Sequence, residues 1–495
     1  MISIITAGYL FSSLILQVAA QEGQLIPGSA ALVGGPVYSC DPAKCVAPSC
    51  YCASKDPPAA LAPSDTPQFL SITFDDAIQP QLLETAYKML NVRNENGCKA
   101  KGTWYVSNQY TDYASVQQWY AVGNEVADHT FSHVSQPSAQ EIESCRRALN
   151  AYSGIPYGKI TGFRSPFLNY SSETLQYIKE QGFTYDSSAS SAGGRDYWPY
   201  TLDYGLANDC WKGVCEASAR FPGLFEIPMY TVTDDTNTEH LMDVYLNGSP
   251  SDAKNWILKA FNSHYNGKRQ PFGIYVHPTH LTSYPSPQDP TEKLNSIVEA
   301  IQEMAAKKDV WVVTNQQLIE WMKKPVPAAE MSRQPYMSCS VPKINQEICN
   351  GLDDTGVTPI DAGLLNTCSY AESYFKSCYS CPSKSPTVSD PAPAPAAEKG
   401  QSGHRTSLPD NCDSVWWDPI AAKCLCSSSE CQYKDATIPN IGTKKDLATS
   451  SDKSGISKDN GDKSIKVSMS SRLSVSLQAL IGSITVILVS TPHLA

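Results

Sequence analysis

The sequence has no excess of basic residues, and this deficit excludes one class of partner. Its 495 residues include 38 Lys and Arg against 49 Asp and Glu, so the net charge is −11 and the pI is near 5.3. Because an acidic chain is repelled by a phosphate backbone, we expect no nucleic-acid partner. Apolar residues make up 41% of the chain, which is enough for a sizeable core and excludes wholesale disorder.

The first twenty residues lack both acidic and basic side chains. An apolar stretch from Ile2 to Leu16 leads to Val18-Ala19-Ala20, a small-residue site typical of signal-peptide cleavage. The basic residues that usually precede such a stretch are missing, so a buried first helix is the alternative. We predict a signal peptide and a secreted protein.

The last apolar segment, Leu473 to Thr491, is followed by no Lys or Arg. A stop-transfer helix usually has basic residues on its cytoplasmic side, so a transmembrane helix is the less favoured alternative. Small residues, a polar spacer and an apolar tail follow one another in the order of a glycosylphosphatidylinositol (GPI) signal. We predict a GPI anchor attached at Asn460, which places the protein on the plasma membrane at the cell surface or in the cell wall.

The 17 cysteines all lie outside these two terminal segments. Cysteines of a secreted protein are expected to be oxidised, and an odd total leaves one thiol unpaired or paired outside the chain. We expect two disulfides, of open connectivity, among the four cysteines in the middle of the chain: Cys98, Cys145, Cys210 and Cys215. Their wide spacing fits no zinc finger.

Short apolar runs alternate with segments of helical apolar spacing from Thr66 to about Val326. The run Phe69–Phe74 predicts a buried strand, for example, and Gln81–Asn91 predicts a helix. Repeated alternation of this kind predicts an α/β fold whose parallel sheet forms a closed or nearly closed barrel. In such barrels the chemistry takes place at the C-terminal ends of the strands.

Changes in composition predict the division of the whole chain. We expect a signal peptide (1–20), a Cys-rich N-terminal segment (21–65), the barrel (66–326), a Cys-rich module (336–381), a Pro/Ala/Ser linker (382–408), a small four-Cys module (409–434), a Ser/Lys/Asp-rich stalk with the GPI attachment site (435–472) and a removed apolar signal (473–495).

Two pairs of residues predict a metal site. Asp75 and Asp76 end the first predicted strand and point in different directions, so one can bind a metal while the other accepts a proton. His129 and His133 are four residues apart, which on a helical turn brings both rings to one side. One carboxylate and two histidines form a three-ligand set suited to Zn²⁺. Taken singly, the acids also fit a solvated turn, and the histidines fit an exposed surface.

Other polar residues end further predicted strands. Arg164 could hold Asp75 ionised through a charge-assisted pair, although a structural salt bridge is equally compatible. His277 could donate a proton to a leaving group, with Asp186 as its acidic partner, although a buried, hydrogen-bonded histidine is the alternative. His280 is less well placed for this role.

These residues occur within five motifs, through which the sequence resembles the polysaccharide deacetylase family (NodB homology, carbohydrate esterase family four), in particular its extracellular chitin deacetylases. The motifs are Thr73–Asp76, His129–His133, Arg164–Phe167, Asp186–Ser188 and Tyr275–His277. The resemblance covers about residues 40–325. It implies a distorted (β/α)7 barrel, to which the small Cys-rich C-terminal modules are added.

The resemblance also implies a role for each residue. Asp75 would be the general base supported by Arg164, His277 the general acid, and Asp186 the residue that orients His277. The implied ligands of Zn²⁺, or of another divalent metal such as Co²⁺, are Asp76, His129 and His133. The fourth motif departs from the bacterial pattern, because serines follow Asp186 where an aromatic residue is expected.

The implied activity is hydrolysis of amide C–N bonds, which removes N-acetyl groups from extracellular chitin or chitooligosaccharides and releases acetate. An esterase that removes O-acetyl groups from another glycan is one alternative, and a catalytically silent protein that binds wall polysaccharide is another. Tyr197, Trp198 and Tyr200 are expected either to line a sugar cleft or to pack in the core.

Overall fold

The computed structural model describes residues 38–210, 215–282, 290–339, 366–371 and 373–398, and the short strands at 416–418 and 423–425. The predicted signal peptide, the GPI signal and Asn460 lie outside these residues, as do the predicted stalk and most of the four-Cys module. Within the described ranges, none of the helices has both the length and the apolar character needed to cross a bilayer.

The main feature of the fold is a nine-stranded sheet in which only β6 runs antiparallel. Its strands are β1 (Gln68–Asp75), β2 (Thr103–Val106), β3 (Glu125–Asp128), β4 (Gly162–Phe163), β5 (Tyr185–Asp186), β6 (Tyr200–Leu202), β7 (Phe221–Glu226), β10 (Phe272–Val276) and β11 (Val310–Val313). The remaining strands form three antiparallel pairs: β8 (Val232–Thr233) with β9 (Glu239–His240), β12 (Asn366–Ser369) with β13 (Tyr374–Ser377), and β14 (Trp416–Asp418) with β15 (Lys423–Leu425).

Strand β1 is buried along its whole length, and it pairs with three neighbours. Leu70 pairs with both β10 and β11, whereas Thr73 pairs with both β10 and β2. On the edge of β1 opposite β10, β11 pairs with the first half of the strand and β2 with the second half. This change of partner along one edge makes the sheet irregular. The predicted α/β class, a distorted barrel of parallel strands, is confirmed.

Among the described residues, seven helices flank the sheet: α1 (Pro80–Met89), α2 (Tyr113–Ala121), α3 (Ala139–Ser153), α4 (Ser172–Glu180), α5 (Pro250–Asn266), α6 (Thr291–Ala305) and α7 (Asn315–Lys323). Each packs apolar side chains into the core; in α6 the buried side chains include Leu294, Ile297 and Ile301, which share one face. Helices α4, α5 and α7 begin with reciprocal capping boxes, which satisfy backbone N–H groups at their first turns.

The cysteine pairing differs from the prediction for the middle of the chain. Of the four cysteines expected to pair among themselves, Cys210 and Cys215 do so; Cys98 pairs with Cys339, 241 residues away, and Cys145 is a buried free thiol. Cys145 lies on the apolar face of α3, where its Sγ donates to the Val106 carbonyl oxygen at 3.2 Å. Further bridges join Cys40 to Cys52, Cys45 to Cys50 and Cys368 to Cys381.

The β12–β13 hairpin packs against the outside of the barrel. The ring of Phe375 lies between Tyr113 of α2 and Tyr152 of α3, at centroid distances of 4.8 and 5.2 Å. The Ser377 hydroxyl donates to the Tyr152 carbonyl oxygen at 2.7 Å. Because Phe375 is buried in the same apolar cluster as the sheet and helices, the hairpin has a fixed position on the barrel.

Candidate active site

Asp75 ends β1 in a fully buried position beside Arg164. The guanidinium NH1 donates to Asp75 Oδ1 at 2.7 Å and to Thr73 Oγ1 at 2.9 Å. The other oxygen, Oδ2, lies 4.0 Å from His129 Nε2. Burial raises the pKa of Asp75 to about 6, although the nearby Arg164 favours the ionised form. Arg164 thus holds one carboxylate oxygen and leaves the other available for proton transfer.

Asp76 and the two histidines of the second motif converge. Asp76 Oδ1 lies 3.0 Å from His133 Nε2 and 3.6 Å from His129 Nε2. The three ligand atoms all lie within 4.8 Å of one another, which is compact enough for a single cation. Burial opposes ionisation of Asp76, but the surrounding imidazoles hold the pKa of this carboxyl well below its usual range.

The tautomer of His129 fits a metal ligand. Its Nδ1 lies 2.7 Å from the Arg164 carbonyl oxygen, an acceptor, so Nδ1 carries the proton and Nε2 presents a lone pair towards Asp76. Burial lowers the pKa of His129 to about 3, which keeps the ring neutral. A carboxylate with two imidazole nitrogens is a donor set that Zn²⁺ accepts, so these residues fit the metal that the sequence predicts.

His277 lies at the end of β10 and faces the same centre. Its Nδ1 is 2.5 Å from Asp243 Oδ2, and its Nε2 is 3.9 Å from Asp76 Oδ2. Asp243 is buried, and the adjacent imidazoles of His277 and His280 overcome that burial and hold its pKa well below the usual range. The His277–Asp243 pair therefore presents Nε2 to the site.

The predicted partnership of Asp186 with His277 is wrong. Asp186 Oδ1 accepts from the Ser188 hydroxyl at 2.7 Å, and Oδ2 accepts from the Ser188 N–H at 3.0 Å. A further side-chain hydrogen bond joins Asp186 to Glu226, and burial raises the pKa of both carboxyls. Asp186 lies at the end of β5, and the position beside His277 is occupied by Asp243, from the loop between β9 and α5.

A small cavity joins the base and the acid. Its volume is about 10 Å³, close to the minimum of about 10–15 Å³ needed for one water molecule. Asp75, His129 and His277 line it, together with Ser165, Phe167, Leu168 and Met242. Phe167 has a left-handed backbone, with φ of 58°, and its ring packs edge-on against His133 at 4.6 Å between centroids. The third motif therefore also shapes the wall of the site.

Sequence reasoning missed two acidic residues. Asp243 follows β9, a two-residue strand too short to be recognised in the sequence, and belongs to no recognisable spacing, so the sequence held no signal for it. Glu226 ends β7, and the rule that polar residues at strand ends carry chemistry could have identified it. The alternative of a sugar cleft is wrong for Trp198 and Tyr200, which are buried in the core, and Tyr197 is partly buried.

The chain is similar in sequence and fold to several known proteins. A family model described as polysaccharide deacetylase matches residues 63–185. The chain is 32% identical to chitin deacetylase 8 of Bombyx mori over 372 residues, which cover 71% of this chain and 92% of that protein. It is 28% identical to chitin deacetylase 1 of Bombyx mori over 330 residues, covering 61% and 60% of the two chains. Among solved structures, the chitin deacetylase of the fungal pathogen Colletotrichum lindemuthianum matches with 13% identity and a TM-score of 0.29, covering 52% of this chain and 72% of that one.

Proposed function

Because the chain belongs to the polysaccharide deacetylase family, a hydrolase family, we propose that it is a metal-dependent enzyme that removes N-acetyl groups from chitin or chitooligosaccharides. The products would be acetate and glucosamine units. The observation that carries the proposal is the convergence of Asp76, His129 and His133, with Asp75 and His277 each within 4.0 Å of one of these ligands. The names of the two Bombyx mori relatives support chitin as the substrate.

Asp75 is the general base of the proposed reaction. A Zn²⁺ or similar ion held by Asp76, His129 and His133 would polarise the acetyl carbonyl and acidify a water molecule. With a pKa of about 6, Asp75 is largely ionised at neutral pH and can accept the proton of the attacking water. Because Arg164 holds Oδ1, Oδ2 is the oxygen that takes this proton.

His277 is the general acid of the proposed reaction. Its Nδ1 is committed to Asp243, so the Nε2–H of the protonated ring is the group that can reach a leaving nitrogen. When the C–N bond breaks, this proton converts the departing nitrogen to an amine, and the acyl carbon leaves as acetate. Asp243 stabilises the positive ring before transfer and fixes its orientation.

Acetate release from two acetylated glycans tests the substrate class. The purified protein is incubated with N-acetylglucosamine oligomers and, separately, with O-acetylated xylan, and free acetate is measured over time. We expect release from the oligomers at a kcat/KM well above that for xylan. Release from xylan alone would replace the proposal with an O-acetyl esterase, and a folded, metal-loaded protein that acts on neither would contradict it.

We further propose that the protein is secreted and held on the cell surface by a GPI lipid. The terminal apolar segments and the spacer before the second one support this location, as do the disulfides of the barrel, which form in oxidising compartments. Treatment of expressing cells with a phosphatidylinositol-specific phospholipase C should release the protein into the medium. Retention on treated cells, when a known GPI-anchored protein is released from them, would contradict the anchor.

A further inference from the structure

Two buried carboxyl groups, Asp186 and Glu226, lie at the same edge of the sheet as the catalytic residues but have no part in the reaction described above. Asp186 ends β5 and Glu226 ends β7, and these parallel strands pair in register at the two acids. Both side chains are fully shielded from solvent. On the other side of β5, Asp186 lies opposite Phe163, the last residue of β4, and Arg164 follows directly. The pair is therefore built into the strands beside the one that leads into Arg164.

Asp186 and Glu226 hold a proton between them. A carboxylate accepts hydrogen bonds and does not donate them, so the hydrogen bond between these two groups requires that one of them is protonated. Glu226 Oε1 accepts from the Ala189 N–H at 3.2 Å, while Oε2 is buried and no N–H or hydroxyl donor of the described residues reaches it. Burial raises the pKa of both carboxyls, which favours the same state. One shared proton leaves the pair with a single negative charge.

The turn after β5 links this pair to Arg164. The Ser188 hydroxyl and N–H both donate to the Asp186 carboxylate, at 2.7 and 3.0 Å. The preceding residue, Ser187, holds the guanidinium: Arg164 Nε donates to its carbonyl oxygen at 2.8 Å, and Nη2 donates to its hydroxyl at 3.2 Å. Nη1 is the nitrogen that contacts Asp75, at 2.7 Å. The acids thus fix the turn, and the turn fixes the part of the guanidinium that Asp75 does not use.

Strand β7 holds the same turn from its other side. The Ser187 hydroxyl donates to the carbonyl oxygen of Ile227, the residue after Glu226, at 2.9 Å. The Ile227 N–H in turn donates to the Asp186 carbonyl oxygen at 2.9 Å. Arg164 is itself fully buried, so a guanidinium donor that loses its acceptor there has no solvent to replace it. A small change in the turn should therefore alter the orientation of Arg164.

We propose that Glu226 is a positioning residue that shares a proton with Asp186 and thereby fixes the orientation of Arg164. The effect on turnover rests on the proposed function, because it reaches the reaction through the contact of Arg164 with Asp75. With Glu226 present, the pair keeps its proton and the turn keeps its shape. Without Glu226, Asp186 would be a lone buried carboxylate close enough to Arg164 to interact with its charge, and it would compete with Asp75 for the guanidinium.

The first experiment compares two substitutions of Glu226. Glu226→Gln keeps a donor beside Asp186 and an acceptor for Ala189, whereas Glu226→Ala removes both. kcat and KM for acetate release from an N-acetylglucosamine oligomer are measured with each variant, together with the Tm. We expect kcat of Glu226→Ala to fall by roughly tenfold to a hundredfold with a smaller change in KM, and Glu226→Gln to stay close to the wild type.

Glu125→Ala is the matched control for this comparison. Glu125 is also a buried glutamate of the sheet, but it begins β3, at the end of the strands opposite the catalytic residues. Its loss should lower the Tm as Glu226→Ala does and leave kcat near the wild-type value. A wild-type kcat in Glu226→Ala, or an equal loss of kcat in the two alanine variants, would overturn the inference.

The second experiment detects the shared proton without turnover. The C=O stretch of a protonated carboxylic acid differs from that of a carboxylate, so an infrared difference spectrum between wild type and Glu226→Gln at neutral pH reports the protonation of this pair. We expect the wild type to show a protonated-acid band that the variant lacks. Its absence would overturn the inference. Because glutamine has nearly the shape of glutamate, this test holds even if the alanine variant does not fold.

The third experiment follows Arg164 directly. In protein labelled with ¹⁵N-arginine, the NMR signal of the Arg164 Nε–H group is identified by its loss in Arg164→Lys. We expect this signal to shift in Glu226→Ala and to keep its position in Glu226→Gln; the same position in both variants and the wild type would overturn the inference. Wild-type protein that released no acetate would refute the proposed function, while the infrared and NMR spectra would still decide whether Glu226 positions Arg164.

Discussion

His277 and Asp243 are joined by two contacts that act together. The Nδ1 atom of His277 lies 2.5 Å from Asp243 Oδ2, and the His277 backbone N–H donates to Oδ1 at 2.8 Å. The Asp243 N–H in turn donates to the Tyr275 carbonyl oxygen at 3.0 Å, which ties the loop to strand β10. This arrangement fixes both the orientation and the tautomer of the ring, as a catalytic acid requires.

Replacing Asp243 tests this role. Asp243→Asn removes the negative charge beside His277, and its amide can favour the wrong tautomer of the ring. We expect kcat for acetate release to fall by about 10²- to 10⁴-fold, the usual contribution of a positioned acid or base, with a much smaller change in KM. Steady-state kinetics on an N-acetylglucosamine oligomer measures both quantities. A kcat close to that of the wild type would remove Asp243 from the mechanism.

The matched variant Asp186→Asn should cost less activity. Asp186 contacts Ser188 and Glu226 rather than His277, and the Ser188 hydroxyl in turn accepts from the Ser165 N–H at 2.8 Å. The substitution therefore acts on the shape of the loop and leaves the acid intact. We expect a kcat at least tenfold above that of Asp243→Asn, measured in the same assay; the reverse order would restore the role that the sequence predicted for Asp186.

Asp243 and Asp186 illustrate which site residues could be predicted from the sequence and which could not. Asp75, Asp76 and Arg164 were predictable because each ends or follows a strand, and parallel strands bring their C-terminal ends to one edge. Asp243 reaches His277 from an irregular loop whose path depends on tertiary packing. The sequence carries no local pattern for such a path, and Asp186 was selected because it ends a predicted strand and fits the order of the motifs.

Replacing Asp75 and replacing Asp76 should have different effects on metal binding and turnover. Asp75→Asn keeps the three ligand atoms in place but removes the proton acceptor, so we expect bound Zn²⁺ at the wild-type level and a kcat reduced by about 10²-fold or more. Asp76→Asn removes a charged ligand and should lower the affinity for Zn²⁺. Metal content after dialysis, measured together with acetate release, distinguishes the two. Retained turnover in Asp75→Asn would contradict its role as the base.

Glu125 makes the stability of the fold depend on pH. It is buried, and burial raises its pKa from 4.5 to about 7, although Tyr185 and Gln316 donate to its carboxyl oxygens at 2.5 and 2.8 Å. The folded state therefore binds this proton more tightly than the unfolded chain does. The resulting stabilisation is complete below pH 4.5 and is lost as the pH rises through about 7.

Glu125→Gln should reduce this dependence, because a neutral amide does not titrate. Urea unfolding at about pH 5 and about pH 8 gives the free energy of unfolding for wild type and variant. We expect the loss of stability between the two pH values to be smaller in the variant by about 1–3 kcal/mol. The same loss in both proteins would show that Glu125 titrates normally in the folded state.

The fold was predictable from local patterns more completely than the cysteine pairing was. Strands such as Phe272–Val276 are continuous apolar runs, and helix α6 has a regular apolar stripe, so both were visible in the sequence. The bridge from Cys98 to Cys339 joins residues 241 positions apart, which are brought together by the pairing of β2 and β11 with β1. Sequence spacing alone does not determine such a pairing.

Metal-dependent release of acetate is the most direct test of the account. The protein is treated with a chelator, dialysed, and assayed on N-acetylglucosamine oligomers before and after addition of Zn²⁺, with Asp75→Asn as the control. The account predicts that the chelated wild type is inactive, that Zn²⁺ restores release, and that the control, although it binds the metal, stays about 10²-fold or more below the restored wild type. Full activity in the metal-free protein, or none in the folded, Zn²⁺-loaded wild type, would contradict it.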